Sequence, residues 1–128
     1  MDYSDEVLTR VRAPQRVGAL PAGPGVGTGE SGTLEQGTVI RIGVRVSGER
    51  IVEARFKVFG CSAAIASASL VAEWLEHTPV AAAAMLTPER VVQALQLAPE
   101  REYVARMAVA AARDAVANAA EVESEKST

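Results

Sequence analysis

The chain of 128 residues contains one cysteine and one histidine. Cys61 has no partner for an internal disulfide, and no four-Cys or two-Cys-two-His zinc site can be assembled, even with His77. Triad-type chemistry would have to draw its nucleophile and base from this same pair, which argues against an enzyme. Aromatic residues make up only 4%, and basic residues do not outnumber acidic ones: the formal charge is −3. Nucleic-acid binding calls for a basic footprint, so no nucleic-acid partner is expected. No apolar run approaches the roughly 20 residues that span a bilayer. The opening Met1-Asp2-Tyr3-Ser4-Asp5-Glu6 is acidic and lacks the apolar stretch of a signal peptide. No membrane association is expected, and the expected compartment is the cytoplasm.

What is present is ordinary globular composition, 48% apolar and 23% charged, over a length that suits one domain spanning 1–128. Tyr3–Arg12 reads as a short amphipathic helix, with Ser4 as N-cap, Asp5 and Glu6 in the first turn, and Pro14 as the stop. Val17–Gly37 holds seven glycines and two prolines. Such a segment resists regular structure and is expected to be a mobile loop, with at most a short strand near Ser31–Leu34.

Period-2 alternation follows. Ile40, Ile42, Val44 and Val46 share one face, with Arg41 and Arg45 on the other. After the turn Ser47-Gly48-Glu49-Arg50, the residues Val52, Ala54, Phe56 and Val58 alternate with Glu53, Arg55 and Lys57. Two such runs around a glycine turn predict an antiparallel hairpin with one wet face, to which the basic residues belong. Past Gly60 the period becomes helical. Cys61, Ala64, Ile65, Ala68, Val71, Ala72 and Leu75 form an inner stripe, opposite Ser62, Ser69, Glu73 and Glu76, and His77-Thr78-Pro79 ends the run. Trp74 reads as core or core edge. Thr87-Pro88-Glu89 opens a helix to about Leu95, Leu97-Ala98-Pro99 is a break, and an Ala-rich helix runs from Glu102 to about Ala120. Glu121–Thr128 is expected to fray. The order predicts an α+β fold, a small three-stranded antiparallel sheet with helices packed on one face.

Pro14-Gln15-Arg16-Val17-Gly18 and the long segment from Ala54 through Phe56, Gly60, Cys61 and Ser62 to Trp74 resemble the IscU/NifU-type iron–sulfur cluster scaffold family, and the likeness runs from about Tyr3 to Ala120. The resemblance implies three cysteines that hold a nascent cluster, with an Asp beside the first and a His beside the third. Here Gln36 stands at the first Cys position and Thr38 at the Asp position; Cys61 is the second cysteine; Tyr103-Val104 replace the His-Cys pair. A Leu-Pro-Pro-Val-Lys-type segment, which in the family docks a dedicated heat-shock-type chaperone, is here Leu97-Ala98-Pro99-Glu100-Arg101.

Iron in such clusters wants about four ligands, normally thiolates. Gln36 and Tyr103 are poor ligands for soft iron–sulfide, and Val104 offers none. His77 lies 16 residues beyond Cys61, roughly 24 Å along a helix, and cannot join it. No bound cofactor is expected. The reading is a non-catalytic accessory protein that binds a metallocluster enzyme, with nitrogenase the candidate client, or its assembly machinery, including cysteine desulfurase. The expected partner-binding residues are Cys61, Gln36, Tyr103, Leu97 and Pro99. Cys61 starts a helix, a position that favours thiolate, so it serves either as a persulfide acceptor or shared ligand, or as a small core residue. Tyr103 is either an interface anchor or a filler of the space left by lost ligands. Two alternatives stand beside this reading: an iron–sulfur or sulfur carrier using Cys61 in a shared or dimeric site, and a regulator competing with an active scaffold for the desulfurase.

Overall fold

Our structure, a computed structural model, describes residues 4–12 and 15–126, without the side chains of 120–126. The expected roles of Tyr3 and Pro14 lie outside the described residues. Helix α1 spans Asp5–Arg12, where Ser4 Oγ accepts from the Val7 amide at 3.3 Å and so fills the predicted cap. Strands β1 (Val26–Thr33), β2 (Thr38–Ser47) and β3 (Arg50–Phe59) form one antiparallel sheet in the order β1-β2-β3. Helix α2 covers Ser62–Leu75, a 3-10 turn covers Val80–Met85, and α3 runs over Pro88–Leu95. A second 3-10 turn, Pro99–Arg101, leads into α4, Glu102–Lys126. Helices cover one face of the sheet and leave the Arg41 face wet, so the α+β expectation holds.

Three details depart from the sequence reading. First, the strand expected near Ser31–Leu34 begins earlier and forms all of β1 inside the glycine-rich stretch. Its glycines make this possible. A Cβ on Gly29 would overlap the Ala111 carbonyl of α4, and one on Gly27 would overlap the backbone of Ala115 and Ala119. Bare backbone on β1 thus lets α4, lined by Ala111, Ala115 and Ala119, lie directly on the sheet. This is packing that local propensity does not register.

Second, the hairpin slips register between Arg45 and Val46, so Val46 opposes Ile51 while Arg45 opposes Glu53. This bulge turns Ile51 inward, fully buried, and leaves Val52 half-exposed. Third, α4 continues to Lys126, past the expected end at Ala120. Thr87 caps α3 as predicted, accepting from the Arg90 amide at 3.4 Å. The inner stripe expected of this helix, Val104, Met107, Ala108, Ala111, Ala112, Ala115 and Ala119, is buried except for Met107, which is only partly so. No helix among the described residues is long and apolar enough to cross a membrane.

Candidate functional site

The turn between β1 and β2, the last residue of β3, the first turn of α2 and the first turn of α4 all lie at one end of the molecule. Leu34 and Gly37 close the β1–β2 turn through a 3.0 Å backbone hydrogen bond, and the Gln36 amide donates to Thr33 at 3.1 Å. Val39 pairs with Phe59 across the sheet. Gly60, with φ +154°, steers the chain off the strand, and a Cβ there would press on the Thr38 side chain at 3.1 Å. Cys61 follows as the N-cap of α2; its carbonyl accepts from the Ala64 and Ile65 amides, and its side chain makes no cap. Helix α4 runs antiparallel to β1 and brings Met107 beside Gly32. Tyr103 lies one turn before Met107, at the same end.

Gln36, Cys61 and Tyr103 therefore come to one tip from three separate elements. Gln36 is exposed, Tyr103 is 40% exposed, and Cys61 is half-buried against the core. Pro99 is exposed in the turn leading into α4, four residues before Tyr103. Leu97 differs from expectation. It is only 8% exposed, because its amide closes α3 on the Val92 carbonyl at 3.1 Å and its side chain completes the core. Val104 is fully buried, and Thr38 is 6% exposed.

Two tip residues escaped the sequence reading. Leu34 is 69% exposed and Phe59 57% exposed, so three of the large exposed hydrophobics of the described residues (Leu34, Phe59 and Tyr103) stand at this end. Phe59 carried a usable signal: it shares the period-2 phase of Glu53, Arg55 and Lys57, an aromatic on the wet face. Leu34 had none, being a lone apolar residue in a turn.

The donor set does not fit a self-contained iron–sulfur cluster. One cysteine is present, the amide of Gln36 and phenol of Tyr103 are weak ligands for iron–sulfide, and Thr38 and Val104 are withdrawn into the interior. Among the described residues, no group of three or more His, Cys, Asp or Glu is placed to hold a metal ion. His77 sits beyond the far end of α2, exposed, with its backbone tied to Ile51.

At that far end lies the largest electrostatic correction. Glu76, expected on a solvated helix face, has a side chain only 13% exposed. Its carboxylate accepts from the Ala54 amide at 3.1 Å, Arg16 Nε at 2.9 Å and an Arg55 guanidinium nitrogen at 3.1 Å. Burial raises the Glu76 pKa, but the Ala54 amide and the two arginines outweigh it and hold the carboxyl below its usual range. The contact seals the outer edge of β3, which Arg16, Gly18, His77 and Thr78 cover elsewhere with backbone hydrogen bonds. Ser69 is likewise buried rather than solvated, under Arg10 of α1, while Glu73 remains exposed and pairs with Arg10 at 2.9 Å. On the wet sheet face, Arg41 pairs with Glu30, Arg45 with Glu53, and Arg55 with Glu53 and Glu76, so no dense basic patch forms.

A three-stranded antiparallel sheet lies under Ala-rich helices, with a cysteine at the corner where β3 becomes α2. The chain belongs to the family of NifU-like N-terminal domains, whose profile matches residues 2–125. It is 36% identical over 118 residues to the iron–sulfur cluster assembly scaffold protein IscU of Azotobacter vinelandii, covering 91% of this chain and 92% of the relative. The protein of the same name from Escherichia coli K12 is 33% identical over 120 residues, covering 92% and 94%. Among solved structures, a nitrogen-fixing NifU-like protein (N-terminal part) from Brucella abortus superposes with a TM-score of 0.68 at 18% identity, over 96% of this chain and 94% of that one. At that identity the likeness speaks for the fold alone.

Proposed function

We propose that this chain is a non-catalytic accessory member of the family, which docks on a metallocluster enzyme or its assembly machinery and does not itself scaffold a cluster. The observation that carries this reading is the tip, where a single cysteine shares one end of the molecule with exposed Leu34, Phe59 and Tyr103 and where, among the described residues, no ligand set is gathered. Exposed aromatic and aliphatic side chains on a rigid support are what protein interfaces use as anchors. Gln36, Cys61, Tyr103 and Pro99 form the contact surface in this reading, with Leu97 packed beneath it. The IscU relatives bear the name of cluster assembly scaffolds, which supports a partner within cluster biogenesis, such as a cysteine desulfurase. Nitrogenase is the candidate client to test first.

The half-buried thiol of Cys61 at this tip supports a second reading, a sulfur or cluster carrier that shares Cys61 with a partner or a second copy. Two measurements separate the readings. Affinity capture from native extract should recover a cluster enzyme, a maturation factor or a cysteine desulfurase, and the Phe59→Ser, Tyr103→Ala double variant should lose it. Anaerobic reconstitution with iron and sulfide, followed by desalting, should leave no stoichiometric iron; a stably held centre in the isolated chain would overturn the accessory reading. A Cys61-dependent centre bridging two chains would establish the second. Slowing of a cluster-assembly assay by the purified chain without metal transfer would mark it instead as a competitor for the desulfurase.

A further inference from the structure

The opposite end of α2 carries a separate surface. Trp74 lies 13 residues beyond Cys61, roughly 20 Å along the helix. The guanidinium carbon of Arg90, on α3, stands 4.9 Å from the centre of the Trp74 ring, within cation–π range. Beside this pair is a cavity of about 280 Å³ lined by Trp74, Leu75, Ala83, Met85, Leu86 and Arg90. Met85 at its rim is 71% exposed. The chain from Thr78 to Pro88, which builds the outer wall, contains no charged residue. Among the described residues, Arg90 has no ion-pair partner, whereas Arg10, Arg16, Arg41, Arg45 and Arg55 each have one.

These features select a ligand class. The volume falls just below the roughly 300–1,000 Å³ of small-molecule sites and suits one apolar side chain. An exposed thioether offers an adaptable apolar wall. A guanidinium stacked on an aromatic face keeps its N–H fork free, in the geometry that pairs with carboxylates. We propose that this pocket docks a partner protein through an apolar side chain flanked by acidic residues, with the apolar group against Trp74 and Met85 and a carboxylate on Arg90. The site is independent of the tip and would let the chain hold two partners at once, one at each end of α2.

The chain has a single tryptophan, so emission at this site reads binding directly. The probes are capped pentapeptides added to the full chain up to millimolar concentration: Glu-Glu-Leu-Glu-Glu, its Lys-flanked counterpart, and the Glu-flanked form with Ser at the centre. Only the first should shift Trp74 emission saturably, and added salt should weaken it. Arg90→Gln should weaken binding about fivefold, the upper range for an exposed ion pair, and Met85→Asp should abolish it. Anisotropy of the labelled peptide gives a readout independent of changes in Trp74 itself, and circular dichroism checks that both variants fold. Absence of saturable binding by the acidic leucine peptide, equal binding by the Lys-flanked one, or indifference to Arg90→Gln would overturn the proposal. So would concentration-dependent self-association that Arg90→Gln removes, which would make a second copy the occupant.

Discussion

At the C-terminal end of α2 the Glu76 carboxylate meets three donors from two segments, Ala54 and Arg55 on β3 and Arg16 before β1. At the N-terminal end Cys61 makes no side-chain cap, and Leu34, Phe59 and Tyr103 stand open to solvent around it. The Glu76 contact, on the β3 side of its end, is polar, enclosed and satisfied; the tip is apolar and uncovered. In a folded domain the first arrangement holds the structure together, because each unpaired buried group would cost a full desolvation penalty. The second contributes little to stability and makes sense only when something covers it. The difference assigns the Glu76 contact and the tip different jobs, and mutations should respect it.

The largest effect should come from the seam that joins the ends. Gly29→Val places a branched side chain where α4 already lies on β1, and should lower stability by about 3 kcal/mol or prevent folding, read by urea unfolding. Glu76→Gln should come next, at about 2 kcal/mol, since charged hydrogen bonds are lost while Arg16 and Arg55 stay in place; capture of partners at the tip should persist. The pH dependence follows from the same contact. The folded-state pKa of Glu76 lies below its unfolded value, so its contribution is complete above the unfolded carboxylate range and disappears as pH falls through the folded value. The stability gap between the native chain and Glu76→Gln should therefore hold steady from pH 7 down to the ordinary carboxylate range and shrink as the pH falls below it.

At the tip the expectation reverses. Phe59→Ser with Tyr103→Ala should change stability by no more than about 0.5 kcal/mol per site, yet abolish partner capture. Smallest of all, Cys61→Ser should leave both stability and partner capture close to native; loss of capture by this variant alone would shift weight to the shared-thiol reading. A double variant that unfolded the protein, or a Glu76→Gln that lost the partner, would break the contrast between the ends.

Much of this architecture was legible before any coordinates. The alternation from Thr38 to Phe59 gave the hairpin, because one buried and one wet face impose a period of two. Thr87-Pro88-Glu89 gave the start of α3, because cap, proline and acid each have a local cause there. The missed features depend on distant partners. Strand β1 has poor strand propensity and exists because α4 needs bare backbone to rest on. The bulge at Arg45/Val46 changed which of Ile51 and Val52 faces inward, with no marker in the residues themselves. Glu76 looked like any helix-face carboxylate, since its donors lie more than 20 residues away in sequence. For the tip, the likeness quoted above led to Gln36, Cys61 and Tyr103. The phase of Phe59 was available in the alternation, while Leu97 showed no sign that it would be withdrawn into the core.

The contact between α4 and the backbone of β1 also has a mechanical consequence. With no side chain on Gly27 or Gly29 to stand between them, helix and strand meet backbone to backbone. Tyr103, at one end of that helix, and the hairpin bend at 34–37, at the end of that strand, are thus carried on two elements in direct contact. A protein gripping either would meet both in fixed relative position, without the entropic loss of first bringing them to rest.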